Sequence, residues 1–543
     1  MRRPHHTAYL LTSICGLLLT PSKVLAQPGT NSTQPKQPTR TTQPKPAGKP
    51  TPKQPTNILA NQRKANDIAR QAEVAFAAAD FAKGEALLRQ QCDLEPESWI
   101  PRHNLAIALA MQDKQVEAAA MLKEAIEMGF FDLRGLQRTR PLEKAAAMAP
   151  IDEWIKDWPA VLERQAQRTL ANLQEALGPG AEITRDDDHR VIYATWADPR
   201  SFERAHTELR SLTTWANTEL FAGIADGPDY DKKLDPIIVV ALPPRNRFQK
   251  WINARFGNVD GNSLTQIGGA YEHLQVRLVS MDLGTSLRHE FFHGLHWRVC
   301  HRLGQRHPIW LQEGLASLVE DMDGLEGGKA NAAPAKPVPS WRTNTAKRQS
   351  RGSGMLSLDD MIAVTPEAFN SQRPLAKYAQ VRAFFLFLYQ RGQLSPFLKT
   401  YCTDNEHGFA VDQSGKKALE HIFGKDTKEL DKQFRAWLKD LPEVSEEVKP
   451  GQASLNISIE SGNGDGVIVV DMPVGGTKSA AAAAGVSTIR IGDVIMSIEG
   501  RATRDTAELI RVLGDFQPGQ KVTVTLRRDG VERDVPVTLG EKK

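Results

Sequence analysis

The chain has 543 residues, of which 40% are hydrophobic and 25% are charged, and its formal net charge is +4. This composition is ordinary for globular proteins, and the length suits three or four domains, each with its own core. The excess positive charge lies near the N-terminus, so the remainder is mildly acidic and nucleic acid is excluded as an expected partner.

The N-terminus has the pattern of a secretory signal. Residues 1–3 carry two arginines, residues 9–19 are apolar, and Val24-Leu25-Ala26 has the small-residue pattern of a cleavage site. We therefore expect a signal peptide at residues 1–26 and an exported product, either periplasmic or secreted. No other segment is apolar enough to cross a membrane, so no integral membrane segment is expected.

A biased segment follows the signal. Residues 27–57 consist mainly of Pro, Thr, Gln, Ser and Lys, with almost no large apolar side chain. Such a composition cannot bury a core, so we expect an extended, disordered linker.

Residues 58–150 have a helical, alanine-rich pattern that repeats. Gly84 lies 34 residues before Ala118, and Leu87-Leu88 is mirrored by Met121-Leu122. This period resembles the helical hairpin of tetratricopeptide (TPR) repeats. The resemblance implies a small helical repeat domain, and a peptide-binding groove on it is an open alternative to a purely packing role.

The next segments predict a connecting helix and then a mixed domain. Residues 151–180 contain an amphipathic helix at 153–177 that ends at Gly178-Pro179-Gly180, a domain boundary. Between 181 and 440 the pattern predicts an α+β layer, with strands at 191–193 and 237–240 and helices at 201–220 and 244–254.

The strongest chemical signal is His289-Glu290-Phe291-Phe292-His293. The pattern predicts a helix that Thr285 or Ser286 caps, and two histidines four residues apart lie on one helical face and can bind one zinc ion. Glu290, beside the first histidine, is placed to accept a proton from water as the general base.

A second motif supplies a third metal ligand. Residues 308–316 begin another predicted helix, and Glu313 lies twenty positions beyond His293. Two imidazoles and one carboxylate leave a fourth position open, which is typical of a catalytic zinc site rather than a structural one. The metzincin pattern is excluded, because its third histidine would fall at Val299 and its glycine at His296.

These two motifs resemble those of the gluzincin metallopeptidases. Trp310, Glu313, Gly314 and Ala316 match the W-x-x-E-G-x-A helix that follows the HExxH helix in that family. The resemblance covers about residues 183–440 and implies a zincin-like peptidase MA-like domain. By position it makes His289, His293 and Glu313 the zinc ligands and Glu290 the base.

Two neighbouring features carry further expectations. Ser317 stands where some gluzincins have an aspartate, so Glu320 either orients a ligand histidine or is a solvated surface carboxylate, the reading we favour. Residues 277–281 are predicted to form the edge strand that aligns an extended substrate. For the Gly-, Ala- and Lys-rich segment 327–353 we favour disorder over a lid.

Residues 268–273 bear on the choice between endopeptidase and exopeptidase. Gly268-Gly269-Ala270-Tyr271-Glu272-His273 resembles, with an extra residue, the Gly-Gly-x-Glu-His segment of the glycyl aminopeptidases. The resemblance implies that Glu272 would bind the free amine of a substrate. That family's large β domain has no counterpart in this chain.

Peptide hydrolysis also needs a hydrogen-bond donor for the oxyanion. Tyr378, which we place at the start of a helix that runs through Leu388, is the candidate, and His296, His301 and His307 compete with it. Packing or lining of the site is the alternative for each of them.

The cysteines indicate no disulfide framework. Cys15 would leave with the signal, so Cys92, Cys300 and Cys402 remain and cannot all pair. None has a partner at CxxC spacing, so we expect buried structural thiols rather than thiolate metal ligands.

The last segment, residues 451–540, is predicted to be a small β-rich module. It resembles a PDZ domain of the Do-like bacterial type on Ala484-Gly485-Val486, on residues 491–495 and 498–500, and on Arg527-Arg528-Asp529-Gly530. The resemblance implies a peptide groove between a helix at 506–513 and a strand at 455–459. Ala453-Ser454-Leu455-Asn456 replaces the glycine-containing carboxylate loop, which leaves C-terminal peptide capture open.

The sequence as a whole therefore predicts a multidomain zinc metallopeptidase. It would act on protein or peptide substrates that the TPR and PDZ modules recruit. Two alternatives stay open: a catalytically silent peptidase-fold scaffold that binds protein partners through the same modules, and a zinc hydrolase of a substrate other than protein.

Overall fold

The computed structural model describes residues 56–227, 230–256, 268–325, 334–371, 373–462, 466–472 and 489–543. The predicted signal at 1–26 lies outside the described residues, as do most of the linker at 27–57 and the motif at 484–486. Within the described ranges, no helix is both long and apolar enough to cross a bilayer.

The N-terminal region is helical, as predicted. Its helices are α1 (Thr56–Ala77), α2 (Phe81–Leu94), α3 (Trp99–Ala110), α4 (Gln115–Glu127), α5 (Leu133–Arg138), α6 (Glu143–Ala146), α7 (Ile151–Lys156) and α8 (Trp158–Leu177). The repeat has a packing cause, since a Cβ atom on Gly84 would come within 2.8 Å of the Phe76 ring. Its counterpart Ala118 is fully buried, so a small residue lies at both repeat positions.

The single helix predicted at 153–177 is two helices. Asp157 ends α7 and precedes α8, in which Pro159 occupies the first turn. Proline has no N–H to donate and disfavours helical geometry at the residue before it, so the chain restarts the helix there.

A five-stranded sheet lies at the centre. Its strands are β1 (Glu182–Asp186), β2 (Val191–Thr195), β3 (Ile238–Leu242), β4 (Gly269–Glu272) and β5 (Arg277–Ser280), in the order β1-β2-β3-β5-β4. β2, β3 and β5 are parallel, and β1 and β4 are antiparallel to their neighbours. The prediction that residues 277–281 form the edge is therefore wrong, because β4 covers β5 and is itself the outer strand on that side of the sheet, among the described residues.

Helices surround this sheet. They are α9 (Pro199–Trp215), α10 (Arg245–Phe256), α11 (Thr285–Leu303), α12 (Ile309–Leu318), α13 (Trp341–Ser350), α14 (Leu358–Ile362), α15 (Pro366–Ser371), α16 (Pro374–Gln390), α17 (Leu394–Thr403), α18 (Lys416–Phe423) and α19 (Thr427–Asp440). Short elements complete this part, namely a π-helical turn at Ala216–Leu220, 3-10 turns at Arg140–Leu142 and Lys232–Leu234, and the strand pair β6 (Met322–Asp323) and β7 (Lys336–Pro337).

The disorder expected for 327–353 is wrong for its described part. β7 and α13 lie within it, and Ser340 caps α13 in a reciprocal capping box with Thr343. Such a cap satisfies backbone N–H groups at the helix start, which is why a segment rich in small and basic residues forms a helix here.

The C-terminal module, residues 453–541, is β-rich and has one helix in its described part. It contains β8 (Ala453–Ser454), β9 (Ser458–Ser461), β10 (Val467–Asp471), β11 (Val494–Ile498), β12 (Arg501–Ala502), β13 (Lys521–Arg528), β14 (Val531–Thr538), β15 (Gly540–Glu541) and the helix α20 (Thr506–Leu513). The helix has the predicted bounds. The strand predicted at 455–459 is displaced, since β9 begins at Ser458 and Asn456 has a positive φ of 52°.

Three groups of buried side chains form the interior. The largest runs from Ala72 to Leu441 without a break between the N-terminal helices and the parts around the sheet. A second fills the other face of the sheet against α8 and α10. The third belongs to the C-terminal module alone, from Ala453 to Leu539, so that module has its own core.

Candidate active site

Helix α11 carries both histidines and the glutamate of the HExxH motif. The predicted cap by Thr285 or Ser286 is wrong, because Gly284 is the N-cap residue and makes no side-chain cap. Asp282 takes that role from outside the helix, since its Oδ1 accepts hydrogen bonds from the N–H groups of Gly284 at 2.9 Å and Ser286 at 3.2 Å.

Helix α12 brings Glu313 to the same place. The residue after it, Gly314, lies against α16, and a Cβ atom there would come within 2.2 Å of the Phe385 ring. Only glycine permits this approach, so α12 packs directly on α16 with Glu313 fully buried. The indole N–H of Trp310 donates to the backbone oxygen of Ser414 at 3.0 Å and anchors the start of the helix.

The three predicted ligands meet at one point. Nε2 of His289 lies 3.1 Å from Nε2 of His293, and Oε2 of Glu313 lies 3.4 Å and 3.7 Å from these two atoms. Ligands about 2.0–2.1 Å from a tetrahedral zinc ion are separated by about 3.3–3.5 Å. The residues therefore fit a zinc ion with little rearrangement.

The electrostatics of this cluster also favour a cation. Both carboxylate oxygens of Glu313 are buried, and the nearest ring nitrogens of His289 and His293 lie 3.4 Å and 3.7 Å from its Oε2. Burial lowers the pKa of His289, but contacts with Glu313 and Glu320 outweigh that effect and raise the pKa to about 10. Burial and the neighbouring His289 hold the pKa of His293 well below its usual value. Burial raises the pKa of Glu313, although His289 opposes this shift. Buried carboxylate and imidazole groups of this kind can be compensated by a metal ion.

Glu290 lies on the face of α11 that meets the sheet. It is fully buried, and a Cβ atom on Gly269 of β4 would come within 2.7 Å of its Cγ. The glycine therefore allows the outer strand to pass directly beside the candidate base. In the sequence, Gly268-Gly269 indicated only a family resemblance, and this contact was not predicted.

Glu320 corrects an expectation. It is not a solvated surface carboxylate but is 2% exposed, and its Oε1 lies 2.9 Å from Nδ1 of His289. Arg342 of α13 holds the same carboxylate through Nε and, at 3.1 Å, through Nη2. Sequence reasoning missed Arg342, because it lies in the segment expected to be disordered.

Tyr378 lies inside α16 and not at its start, since the helix begins at Pro374. The side chain is fully buried, and its ring centroid is 6.2 Å from that of His289. Burial raises the pKa of Tyr378, and the negative charges of Glu313 and Glu290 raise it further. The hydroxyl is therefore protonated and faces the ligand cluster as a donor.

The competing residues have other partners. Nε2 of His301 lies 2.8 Å from Asp132, and Nε2 of His296 lies 2.8 Å from Nδ1 of His307.

Glu272, the candidate for binding a substrate's free amine, is bound by two arginines. Its carboxylate lies 2.7 Å from Nε of Arg255 and 2.5 Å from Nε of Arg277. A carboxylate already held by two arginines is poorly placed to bind the amine of a substrate.

The C-terminal module touches the start of α11. Arg288, next to the ligand His289, donates from Nη1 to Glu208 at 3.1 Å, and Arg504 of the module also binds Glu208. Thr285 donates to Asp505 of the module at 3.3 Å. No sequence signal joined Glu208 to the site, because it reads as one charge on an amphipathic helix.

Comparisons with known proteins agree on the C-terminal module. The model of the PDZ domain family matches residues 451–539, so the chain contains a PDZ domain there, as predicted. A curated relative, "Protease Do-like 8, chloroplastic" of Arabidopsis thaliana, is 26% identical over 120 residues. This match covers 19% of the chain and 26% of the relative, so the chain spans about a quarter of that protein's length.

A solved structure is also similar in part. It is the crystal structure of an aminopeptidase N family protein from Idiomarina loihiensis, 14% identical, and the match covers 67% of this chain and 67% of that one. The TM-score of 0.28 does not establish a common overall arrangement.

Proposed function

We propose that this protein is a zinc-dependent metallopeptidase with a PDZ domain that recruits or positions its protein substrates. The observation that carries the proposal is the convergence of His289, His293 and Glu313, whose ligand atoms are 3.1–3.7 Å apart. Glu290, on the same helix turn, supplies the base that hydrolysis requires. The similarity to a Do-like protease supports a role in proteolysis.

Each residue has a distinct part in the proposed reaction. When bound, zinc polarises the scissile carbonyl and increases the acidity of water. Glu290 accepts the proton of the attacking water and passes it to the leaving amine. Tyr378 donates its hydroxyl hydrogen to the oxygen that becomes negatively charged. Glu320 orients His289 and does not touch the substrate.

Substrate alignment is assigned to the outer strand. β4 pairs with β5 along one edge only among the described residues and passes beside Glu290. An extended peptide that adds to such an edge would place a backbone carbonyl near the base. We further propose an exported protein, on the signal pattern of residues 1–26, and a recruiting role for the N-terminal helices.

One observation favours a second candidate function. His289, Glu290 and Glu313 are fully closed to solvent, and His293 is 3% exposed. A site closed to this degree fits a catalytically silent scaffold that binds partners through its PDZ domain. A peptidase with this arrangement must open before a substrate enters.

The experiment that separates the two compares residues 27–543 with the variant Glu290→Gln, and with the exposed-site control Glu153→Gln. Zinc content and hydrolysis of fluorescent casein are measured for each protein. We expect one tightly held zinc at the site in all three and a loss of roughly 10²–10⁴-fold in turnover for Glu290→Gln alone. Zinc without activity in any of them would support the scaffold, and absence of zinc would overturn the assignment of His289, His293 and Glu313 as metal ligands.

A further inference from the structure

A second group of metal-ligand side chains lies further along α11. His296 and Cys300 are one turn apart on that helix, and His307 follows in the loop that leads to α12. One ligand atom from each lies within 4.8 Å of the other two, and all three residues are buried. This group shares no residue with His289, His293 and Glu313.

The hydrogen bonds around His307 define which of its nitrogens is available. The amide nitrogen of Gln305 donates to the backbone oxygen of Cys402 at 2.7 Å, which turns the amide oxygen towards the histidine. That oxygen lies 3.0 Å from Nε2 of His307. An amide oxygen only accepts, so Nε2 carries the hydrogen and Nδ1 keeps its lone pair.

The Nδ1 atom of His307 faces the group and shares a hydrogen bond with His296. This atom lies 2.8 Å from Nε2 of His296, and the backbone N–H of His307 donates to the sulfur of Cys300. In a metal-bound histidine, one ring nitrogen binds the metal ion and the other usually donates its hydrogen to an oxygen outside the site. Cys402 lies 4.0 Å from Nε2 of His307, beside the nitrogen that faces away from the group.

We propose that His296, Cys300 and His307 bind a second metal ion, a borderline-soft transition metal such as zinc. Two imidazoles and one thiolate form a ligand set that suits zinc and disfavours magnesium or calcium. The ion would join the last turn of α11 to the loop before α12. These are the two helices that carry the ligands of the proposed active site, but the inference does not depend on catalysis.

Metal content of residues 27–543 tests this assignment. After dialysis against a weak chelator, the wild-type protein is expected to retain two zinc ions per chain, one for each ligand group. Cys300→Ser and His307→Ala are each expected to retain one, and so is Glu313→Ala, which alters the other group. Cys92→Ser is the matched control, since Cys92 belongs to neither group, and it should retain both.

Cobalt substitution provides a readout that does not depend on a variant folding. A thiolate bound to Co²⁺ absorbs in the near ultraviolet, so wild-type protein loaded with cobalt should show this band. The band should disappear in Cys300→Ser and persist in Cys92→Ser and Cys402→Ser. The proposal is overturned if the wild type lacks the band, if zinc content is unchanged in Cys300→Ser, or if thiol titration reveals a disulfide between Cys300 and Cys402.

Discussion

The Nδ1 atom of His289 lies 2.9 Å from Oε1 of Glu320, in the interior of the protein. A carboxylate only accepts hydrogen bonds, so Nδ1 donates, and Nε2 is the nitrogen available to a metal ion. Arg342 donates to both oxygens of the same carboxylate, through Nε to Oε2 and through Nη2 to Oε1. Arg342 therefore holds Glu320, and Glu320 in turn fixes the orientation of the His289 ring. The helix that carries Arg342, α13, contributes no proposed metal ligand itself.

Replacement of Glu320 by glutamine tests this relationship. Glu320→Gln retains an oxygen that Nδ1 can reach but removes the charge that polarises the imidazole. We expect zinc affinity to fall by roughly 10–100-fold, as for other outer carboxylates of metal-bound histidines. Competition with a chromophoric chelator measures the affinity.

Glu367→Gln is the control for this experiment. Glu367 is an exposed glutamate in the first turn of α15, and its replacement should leave zinc affinity unchanged. Equal affinities of Glu320→Gln and the wild type would show that Glu320 serves only to neutralise Arg342.

Tyr378→Phe separates oxyanion stabilisation from packing. The ring fills the same buried volume without the hydroxyl, so the fold and the zinc content should not change. We expect kcat to fall by roughly 10²–10³-fold with little change in KM, because the lost hydrogen bond forms only as negative charge develops. Steady-state kinetics on a peptide substrate measures both constants, and Tyr193→Phe, a buried tyrosine packed on Phe202, is the control. A change confined to KM would assign Tyr378 to substrate binding instead.

The proximity of His289 and His293 was accessible from the sequence because helical geometry fixes it locally. Residues four apart on one helix share a face whatever surrounds them, so His289 and His293 must converge. Glu313 lies on a different helix, and its place beside the histidines was expected from its spacing and from the family resemblance rather than from local geometry. The position of β4 was not accessible, because Gly269–Glu272 is short and has no β-branched residue, while the stronger pattern at 277–280 belongs to an inner strand.

Long-range partners were the other limit. Arg342 and Glu320 are 22 residues apart and meet only because a strand pair and a capped helix fold the intervening chain back. Glu208 and Arg504 are 296 residues apart, and no periodicity links them. The sequence predicts a buried structural thiol at Cys300, because no second cysteine lies at CxxC spacing. The histidines near it, one turn away on the helix and in the following loop, form no familiar metal-binding motif.

The contact between the PDZ domain and the rest of the chain should depend on Glu208. This side chain is 3% exposed and binds Arg288 and Arg504 together. Glu208→Gln removes a negative charge that neutralises the mostly buried guanidinium groups of Arg288 and Arg504. The free energy needed to separate the PDZ domain from the rest of the chain should then fall by about 3–5 kcal/mol. Cleavage by a glutamate-specific protease in the connecting segment 441–452, which contains the exposed Glu447, should then be faster.

Glu203→Gln is the matched control for Glu208→Gln. Glu203 lies on the same helix, α9, but is exposed, and its replacement should leave the cleavage rate at the wild-type value. An unchanged rate in Glu208→Gln would show that apolar contacts alone hold the PDZ domain in place.

The same contact should weaken as pH rises, because of Asp505. Burial raises the pKa of Asp505 to about 6, and the negative charges of Glu508 and Asp321 contribute. The pKa of an aspartate in the unfolded chain is near 4, so between about pH 4 and pH 6 the folded state binds a proton that the unfolded state has lost. The stabilisation is fully present below about pH 4 and is lost as pH rises through about 6. The loss for a shift of this size is at most about 3 kcal/mol.

Asp505→Asn should remove this dependence. The asparagine can still accept the hydrogen bond that Asp505 takes from the N–H of Glu508 at 2.8 Å, so α20 keeps its cap. Calorimetric unfolding is expected to give equal midpoints for variant and wild type near pH 4 and a higher midpoint for the variant at pH 7. Asp529→Asn, at an exposed turn, should match the wild type at both values. A difference between Asp505→Asn and the wild type that stays constant with pH would show that Asp505 is ionised throughout this range, because only a protonation change can make that difference vary.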